Sequence, residues 1–318
     1  MRAFITGITG FAGRHLAHHL LSEGMEVWGC ANSAKWPQDT PSELKEQVPL
    51  VPWDLRLPAE QHPELLAQAR ALPPDQIYHL AAISVPSDCG QETMSPLARA
   101  VNVEGTRHVM QFAQELTSPP RLLFTSSCYV YDFDPENPIV QEDSPLGSRK
   151  GYGQSKLEAE RLVQDLGQQS GIDYVIARSF NHSGPGQVPR MMLPEWAEQF
   201  AQPNVSPVRV RTLDAWLDLS DVRDIVKAYH GLLERGHSQG IYNVGGGKNL
   251  RSGDILQALR ELADPTRPVV ETNPGYKQEP IADITRLKEH TGWEPSIPLS
   301  QTLIDTLDDW RHRIRLAS

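Results

Sequence analysis

Apolar and polar positions along the chain follow two periods, and the order in which the periods alternate predicts the fold. Residues 2–6, Arg2-Ala3-Phe4-Ile5-Thr6, read as a short apolar strand, and residues 11–22 follow with Phe11, Leu16, Leu20 and Leu21 at helical spacing. Apolar, β-prone runs recur at residues 25–30, 47–53, 76–82, 121–125 and 172–178. Between them lie amphipathic stretches: residues 96–116 carry Val101, Val109, Phe112 and Leu116 on one side, and residues 152–166 form another. This alternation predicts an α/β fold, a doubly wound parallel sheet with helices on both faces. From residue 179 the pattern breaks into proline- and glycine-rich loops with shorter elements. Strands are expected there at 207–211 and 240–244, and helices at 220–234, 252–262 and 298–314. The division expected is a first domain over residues 1–178 and a smaller mixed α/β lobe over 179–318. Residues of about 212–244 are expected to return to the first domain, so the lobes interleave.

Composition narrows the class. A chain of 318 residues has room for a large α/β domain, and a net charge of −10 with a pI near 5.6 argues against general affinity for nucleic acid. Cys30, Cys89 and Cys128 are an odd count without ligand spacing, so neither a disulfide framework nor a metal site is expected. Met1 leads directly into a strand, and no apolar run is long enough to span a bilayer; the expectation is a cytoplasmic protein without membrane contact. Asn181-His182-Ser183 and Asn204-Val205-Ser206 match the glycosylation pattern, which has no use without secretion.

The first strand runs into Gly7-Ile8-Thr9-Gly10-Phe11-Ala12-Gly13. Gly7 and Gly10 permit a tight turn and close approach of backbone to a diphosphate, and Gly13 lets the helix pack on the strand. The helix N-terminus offers N–H groups and a positive dipole end to phosphate. Such a trio is informative only between a strand and a helix, and that context is present here. The reading is a Rossmann-type dinucleotide site. The second strand closes on Ala31-Asn32-Ser33, without the acidic residue that would bond a free ribose 2′-hydroxyl and repel a 2′-phosphate. NADP(H) is therefore favoured, with NAD possible. Asn32 and Ser33, with Lys35 or Arg14, are the candidate contacts to the 2′-phosphate. His79, inside the fourth strand, reads as packed and satisfied.

Tyr152-Gly153-Gln154-Ser155-Lys156 places a phenol and an amine four apart on one helical face. Tyrosine titrates near pH ~10, and a neighbouring ammonium together with a nicotinamide cation is expected to favour the phenolate and lower that value. Lys156 can also hold the nicotinamide ribose. Hydroxyls to orient a carbonyl stand in Thr125-Ser126-Ser127-Cys128-Tyr129-Val130-Tyr131, directly after the fifth strand.

These motifs, with Asn102-Val103-Glu104-Gly105-Thr106, Arg178 through Gln187 and Asp221-Val222-Arg223-Asp224, stand in an order that resembles the extended short-chain dehydrogenase/reductase family along nearly the whole chain. The resemblance is to its nucleotide-sugar-modifying group. Phe180-Asn181-His182 through Gly184-Pro185-Gly186-Gln187 is most similar to the branch of GDP-4-keto-6-deoxy-D-mannose reductases and GDP-mannose dehydratases. It implies Ser127 as the orienting hydroxyl, with Ser126 if the register slips, and Tyr152 as proton donor. It also places Leu80, Ala81 and Ala82 beside the cofactor, His182 near the nicotinamide and Asn181 near the substrate diphosphate. Asp54 and Leu55 would flank the adenine, unless Asp54 only caps a helix. Asn102 and Trp293 would be structural, and two long helices would build a homodimer interface.

The position two after Ser127, a glutamate in the family's dehydratases, is Tyr129 here, which disfavours dehydration. Cys128 lies one position off the cysteine that related epimerising enzymes use, and reads either as an acid/base or as an inert buried thiol. Two arginines that usually clamp the nucleotide are missing: Leu217 precedes Asp218, and Lys277-Gln278-Glu279-Pro280 stands in a shortened C-terminal segment. Arg190, Arg209 or Arg211 are the candidate replacements, and Gly245-Gly246-Gly247 reads as a tight turn. The resemblance implies NADP(H)-dependent reduction of the 4-keto group of a nucleotide-linked 6-deoxysugar. Alternatives are an NAD-dependent nucleotide-sugar 4-epimerase and a non-catalytic dinucleotide-sensing protein of the same fold.

Overall fold

The computed structural model describes residues 1–148, 150–203 and 206–317. Asn204 and Val205 of the second glycosylation match lie outside the described residues. The chain opens with β1 (Arg2–Thr6), α1 (Phe11–Ser22) and β2 (Glu26–Ala31), followed by α2 (Ser42–Gln47), β3 (Leu50–Pro52), α3 (Pro63–Ala71) and β4 (Gln76–His79). A helical rod then runs from α4 (Pro96–Ala98) through a π-helical stretch (Arg99–Glu104) into α5 (Gly105–Glu115), and leads to β5 (Arg121–Ser127). After β6 (Ile139–Val140) come α6 (Gly151–Ser170), β7 (Tyr174–Ser179) and β8 (Asn181–Ser183). The remainder is α7 (Met192–Ala201), β9 (Val208–Val210), β10 (Asp214–Leu217), β11 (Leu219–Asp221), α8 (Val222–Arg235), β12 (Gly240–Val244), β13 (Leu250–Arg251) and α9 (Ser252–Ala263). It closes with β14 (Val269–Glu271), β15 (Tyr276–Gln278), β16 (Ile281–Ala282), α10 (Thr285–Thr291) and α11 (Leu299–Ala317).

Seven strands form one parallel sheet in the order β12-β7-β5-β4-β1-β2-β3. Its strands are apolar on both sides because helices cover both faces. Successive residues of β1 enter opposite cores: Phe4 packs with Trp28, Ile77 and Phe124, and Ile5 with Leu16, Tyr78 and Val175. The order reverses between β1 and β4, and in open sheets the crevice beyond the strand ends at that point is where ligands bind.

The expected third strand is shortened to the edge strand β3, which ends on Pro52, a residue without an N–H for the ladder. The expected helix over 96–116 is interrupted by its π-helical stretch. There Asn102 bonds the Ile83 amide (2.8 Å) and carbonyl (3.1 Å) and the Ser155 hydroxyl (2.9 Å), tying the β4 loop to α6. A third core joins α7, α9 and α11 around Trp196, Leu256, Leu307 and Trp310. β12, far along the chain, pairs with β7 in the main sheet, whereas β10 pairs with β13 and β15 in a separate small sheet. Among the described residues no helix is long and apolar enough to cross a membrane.

Candidate active site

At the switch point the glycine turn is set by contact. Gly7 has φ +69°, and a Cβ on it would lie 2.8 Å from the Ala81 Cα; a Cβ on Gly13 would lie 2.4 Å from the Gly7 carbonyl oxygen. Ala81 is the residue that this close approach keeps small. Gly10 caps α1 without a side-chain bond, which leaves first-turn N–H groups of α1 to a ligand. Across the turn the Phe11 ring stacks on His182 at 6.1 Å, and His182 Nδ1 donates to the Phe180 carbonyl at 3.0 Å. Burial lowers the His182 pKa, so its ring is held neutral. Close backbone, open helix terminus and flanking rings fit a dinucleotide.

The other predicted cofactor contacts are spread more widely. Asn32 and Ser33 are exposed just beyond β2, and Leu80 is half-buried beyond β4. Arg14 faces the loop after β2, paired with Asp39 at 3.1 Å, and donates to the Gly186 carbonyl at 2.9 Å. Leu55 is buried against Gly105, with its carbonyl accepting from His108 Nδ1 at 2.7 Å. Asp54 caps no helix: it grips the Arg56 guanidinium at 2.6 Å and accepts the Arg56 amide, which lowers its pKa. His79 bonds the Thr6 hydroxyl (2.8 Å) and the Thr106 hydroxyl (3.0 Å), and burial lowers its pKa to about 3.

Ser127, Tyr152 and Lys156 are brought together by β5 and α6. Ser127 ends β5 and opposes the rise of the Tyr152 phenol pKa; its neighbour Ser126, facing the other side of the strand, is bonded to Glu160. The Lys156 ammonium is buried, donates to the Thr125 carbonyl at 2.8 Å, and has its pKa lowered by burial to about 8. Without the nicotinamide cation, burial pushes the Tyr152 phenol up, only partly opposed by Ser127, and the Lys156 ammonium is bonded to the Thr125 carbonyl.

Two supporting residues had no role assigned by the motifs. Arg178, at the end of an otherwise apolar strand, and Glu160, four residues after Lys156 on α6, form a buried ion pair at 2.8 Å. Arg178 also donates to the Tyr131 hydroxyl (3.1 Å) and the Glu142 carbonyl (2.8 Å). A lone arginine in an apolar run was the available signal, since a buried charge requires a partner.

Asn181 and Tyr129, two of the expected substrate contacts, meet at Glu279, which directly follows β15 late in the chain. Cys128 packs in the core, where burial, then Glu279 and Asp218, push its thiol well up; it has the setting of an inert thiol. Asp218 accepts the amides of Gly246 (2.8 Å), Gly247 (2.9 Å) and Ala282 (3.2 Å), so the triple-glycine segment is a turn folded on that carboxylate. Arg190 is exposed and paired with Asp88 at 2.8 Å, and Arg209 is exposed on β9 with its backbone bonded to Gln199 of α7. Trp293 donates to the Asp224 carbonyl at 3.0 Å in a buried corner.

With this geometry in place, comparison with known proteins is decisive for the class. A profile described as the NAD dependent epimerase/dehydratase family matches residues 3–245. The chain belongs to that family. Members use NAD(P) on a Rossmann-type sheet, and this member is an NAD(P)-dependent enzyme with the same architecture. It is 28% identical to GDP-6-deoxy-D-mannose reductase of Pseudomonas aeruginosa over 99% of this chain and 98% of that protein. The structure of RMD from Pseudomonas aeruginosa complexed with NADPH is similar at TM-score 0.78, 28% identity and coverage of 98% and 99% of the two chains. The UDP-glucose 4-epimerase of Thermus thermophilus in complex with NAD is similar at TM-score 0.81, 26% identity and the same coverage.

Proposed function

We propose that this family member catalyses NADP(H)-dependent reduction of the 4-keto group of a nucleotide-linked 6-deoxysugar. The observation that carries the reading is the Tyr152 phenol, kept protonated by desolvation, on the same α6 helix as the buried Lys156 ammonium that reaches the end of β5. Ketone reduction requires a proton donor at the carbonyl oxygen, and a half-buried phenol that keeps its proton is one. The bound dinucleotide supplies the hydride. Ser127 orients the carbonyl, Tyr152 releases its proton to the oxygen as charge develops there, and the Lys156 ammonium stabilises the phenolate left behind. The end of β2 without an acid, with Arg14 beside that loop, favours the 2′-phosphate of NADP(H). Relatives support the substrate class: one is named GDP-6-deoxy-D-mannose reductase, and a similar structure is complexed with NADPH. A redox-neutral 4-epimerase is the second reading, supported by the likeness to a UDP-glucose 4-epimerase in complex with NAD. For assembly we propose a homodimer through the outer faces of α5 and α6, checked by sedimentation.

The test joins binding and turnover. Calorimetry should show NADPH binding more tightly than NADH, and the 4-keto-6-deoxymannose of GDP should consume NADPH. Tyr152→Phe should lower kcat by on the order of 10²–10⁴ while NADPH affinity stays unchanged. NAD+ co-purifying with the protein, and C4 inversion without net NADPH loss, would replace the reductase by the epimerase.

A further inference from the structure

Side chains from three separate segments converge on one carboxylate, Glu279. Glu279, whose side chain is only 9% exposed, is bonded at Oε1 by the Tyr129 hydroxyl (3.1 Å) and the Lys277 ammonium, and at Oε2 by the Asn181 amide (2.8 Å). Tyr129 follows β5, Asn181 lies in β8 and Lys277 in β15. The Tyr129 ring stands edge-on to Tyr152 with centroids 6.0 Å apart, so this seat adjoins the proton-donating phenol. A hydroxyl, an ammonium and an amide pointing at one spot are complementary to an anion.

Glu279 does not need its side chain to keep its strand in place. Its amide donates to the Trp216 carbonyl at 2.9 Å, and β15 is paired with β10 from Asp214↔Tyr276 to Trp216↔Gln278. The carboxylate can therefore leave while the strand stays. Meanwhile the arginines expected to clamp an anion are engaged or distant in sequence from the seat: Arg190 is paired with Asp88, and Arg209 stands on β9 beside α7. Two anions cannot share the same three donors, because like charges at contact distance repel strongly in a partly buried pocket.

We propose that Asn181, Tyr129 and Lys277 form the seat for the diphosphate of the substrate, and that Glu279 is a tethered carboxylate that holds this seat until the substrate displaces it. The inference rests on the nucleotide-sugar reading above. Its consequence has an unusual sign: neutralising a pocket residue tightens substrate binding.

The experiment titrates GDP, UDP, dTDP and CDP onto NADPH-loaded wild type, Glu279→Gln and Lys277→Ala, with inorganic diphosphate as the minimal probe. Expected are about tenfold tighter binding of the preferred diphosphate by Glu279→Gln and about tenfold weaker binding by Lys277→Ala. A diphosphate bound by Glu279→Gln but not by wild type also supports the proposal. Wild type binding a nucleoside diphosphate while Glu279→Gln binds it equally or less tightly overturns the tethered-anion role and leaves the nucleotide-sugar reading standing. Lys277→Ala binding as wild type removes Lys277 from the seat and overturns the proposal as stated. If wild type and Glu279→Gln both bind NADPH and neither binds any diphosphate, the nucleotide-sugar reading and this inference fall together. Should Glu279→Gln not fold, Glu279→Ala carries the same expectations, with thermal unfolding as the control.

Discussion

Lys156 reaches the Thr125 carbonyl from a buried position, and in the proposed reaction its ammonium offsets the charge left when Tyr152 gives up its proton. Burial lowers its pKa to about 8, against smaller opposing effects of Cys89 and Glu160. For a cation with a lowered pKa, the charged form is complete below that value and is lost as pH rises through it. The alkaline limb of kcat/KM, which reports the free enzyme, should therefore fall with a midpoint near pH 8. A limb at the ordinary lysine value, near pH ~10.4, would show that the ammonium is not desolvated in solution. The Tyr152/Lys156 pair was legible because residues four apart on a helix share a face. What the ammonium touches was not, because Thr125 lies thirty-one positions earlier and comes near only when β5 packs under α6. The raised phenol pKa has the same origin: spacing gives proximity along a helix, while burial and the direction of an ammonium come from packing.

At the scale of elements, Glu160 and Arg178 join α6 to β7, and Ser126 of β5 joins them through Glu160. Three elements that carry or flank Ser127, Tyr152 and Lys156 are thus fixed by one buried charged network. Glu160→Gln would leave the Arg178 guanidinium buried without its counter-charge, at a cost of about 3–5 kcal/mol. Urea unfolding should show this loss, and replacing both residues by methionine should recover much of it. An unchanged transition midpoint in Glu160→Gln would show that the pair contributes little to holding α6 on the sheet. None of these bonds was readable beforehand, although their outline was. The glycine turn was fully legible, since strand, glycines and helix are contiguous. The close approach of Gly7 to Ala81 was not, because it depends on β4 lying beside β1.

For the whole molecule, α11 closes the fold. Thr302 donates to Asp221 at 2.8 Å, Asp309 accepts the Gly186 amide at 2.9 Å, and Arg313 pairs with Asp39 at 3.0 Å in the loop after β2. The last helix therefore touches both the segment after β8 and the loop after β2. Trp310, buried with Leu303 and Leu307, seats that helix. Trp310→Ala should cost about 3–5 kcal/mol, visible as a lower thermal midpoint, and should weaken NADPH binding through the loosened Gly186 and Asp39 contacts. Normal NADPH affinity in a destabilised Trp310→Ala variant would separate α11 from the cofactor site. The sequence by itself determined the parallel sheet, the glycine turn and the Tyr152/Lys156 helix, because periodicity and short-range spacing are local properties of the chain. Tertiary structure alone decided that Glu279 meets Tyr129, Asn181 and Lys277, that Arg190 pairs with Asp88, that Cys128 is buried and that Tyr152 keeps its proton. Each of these depends on groups far apart in sequence meeting where water is excluded, and no local pattern encodes that.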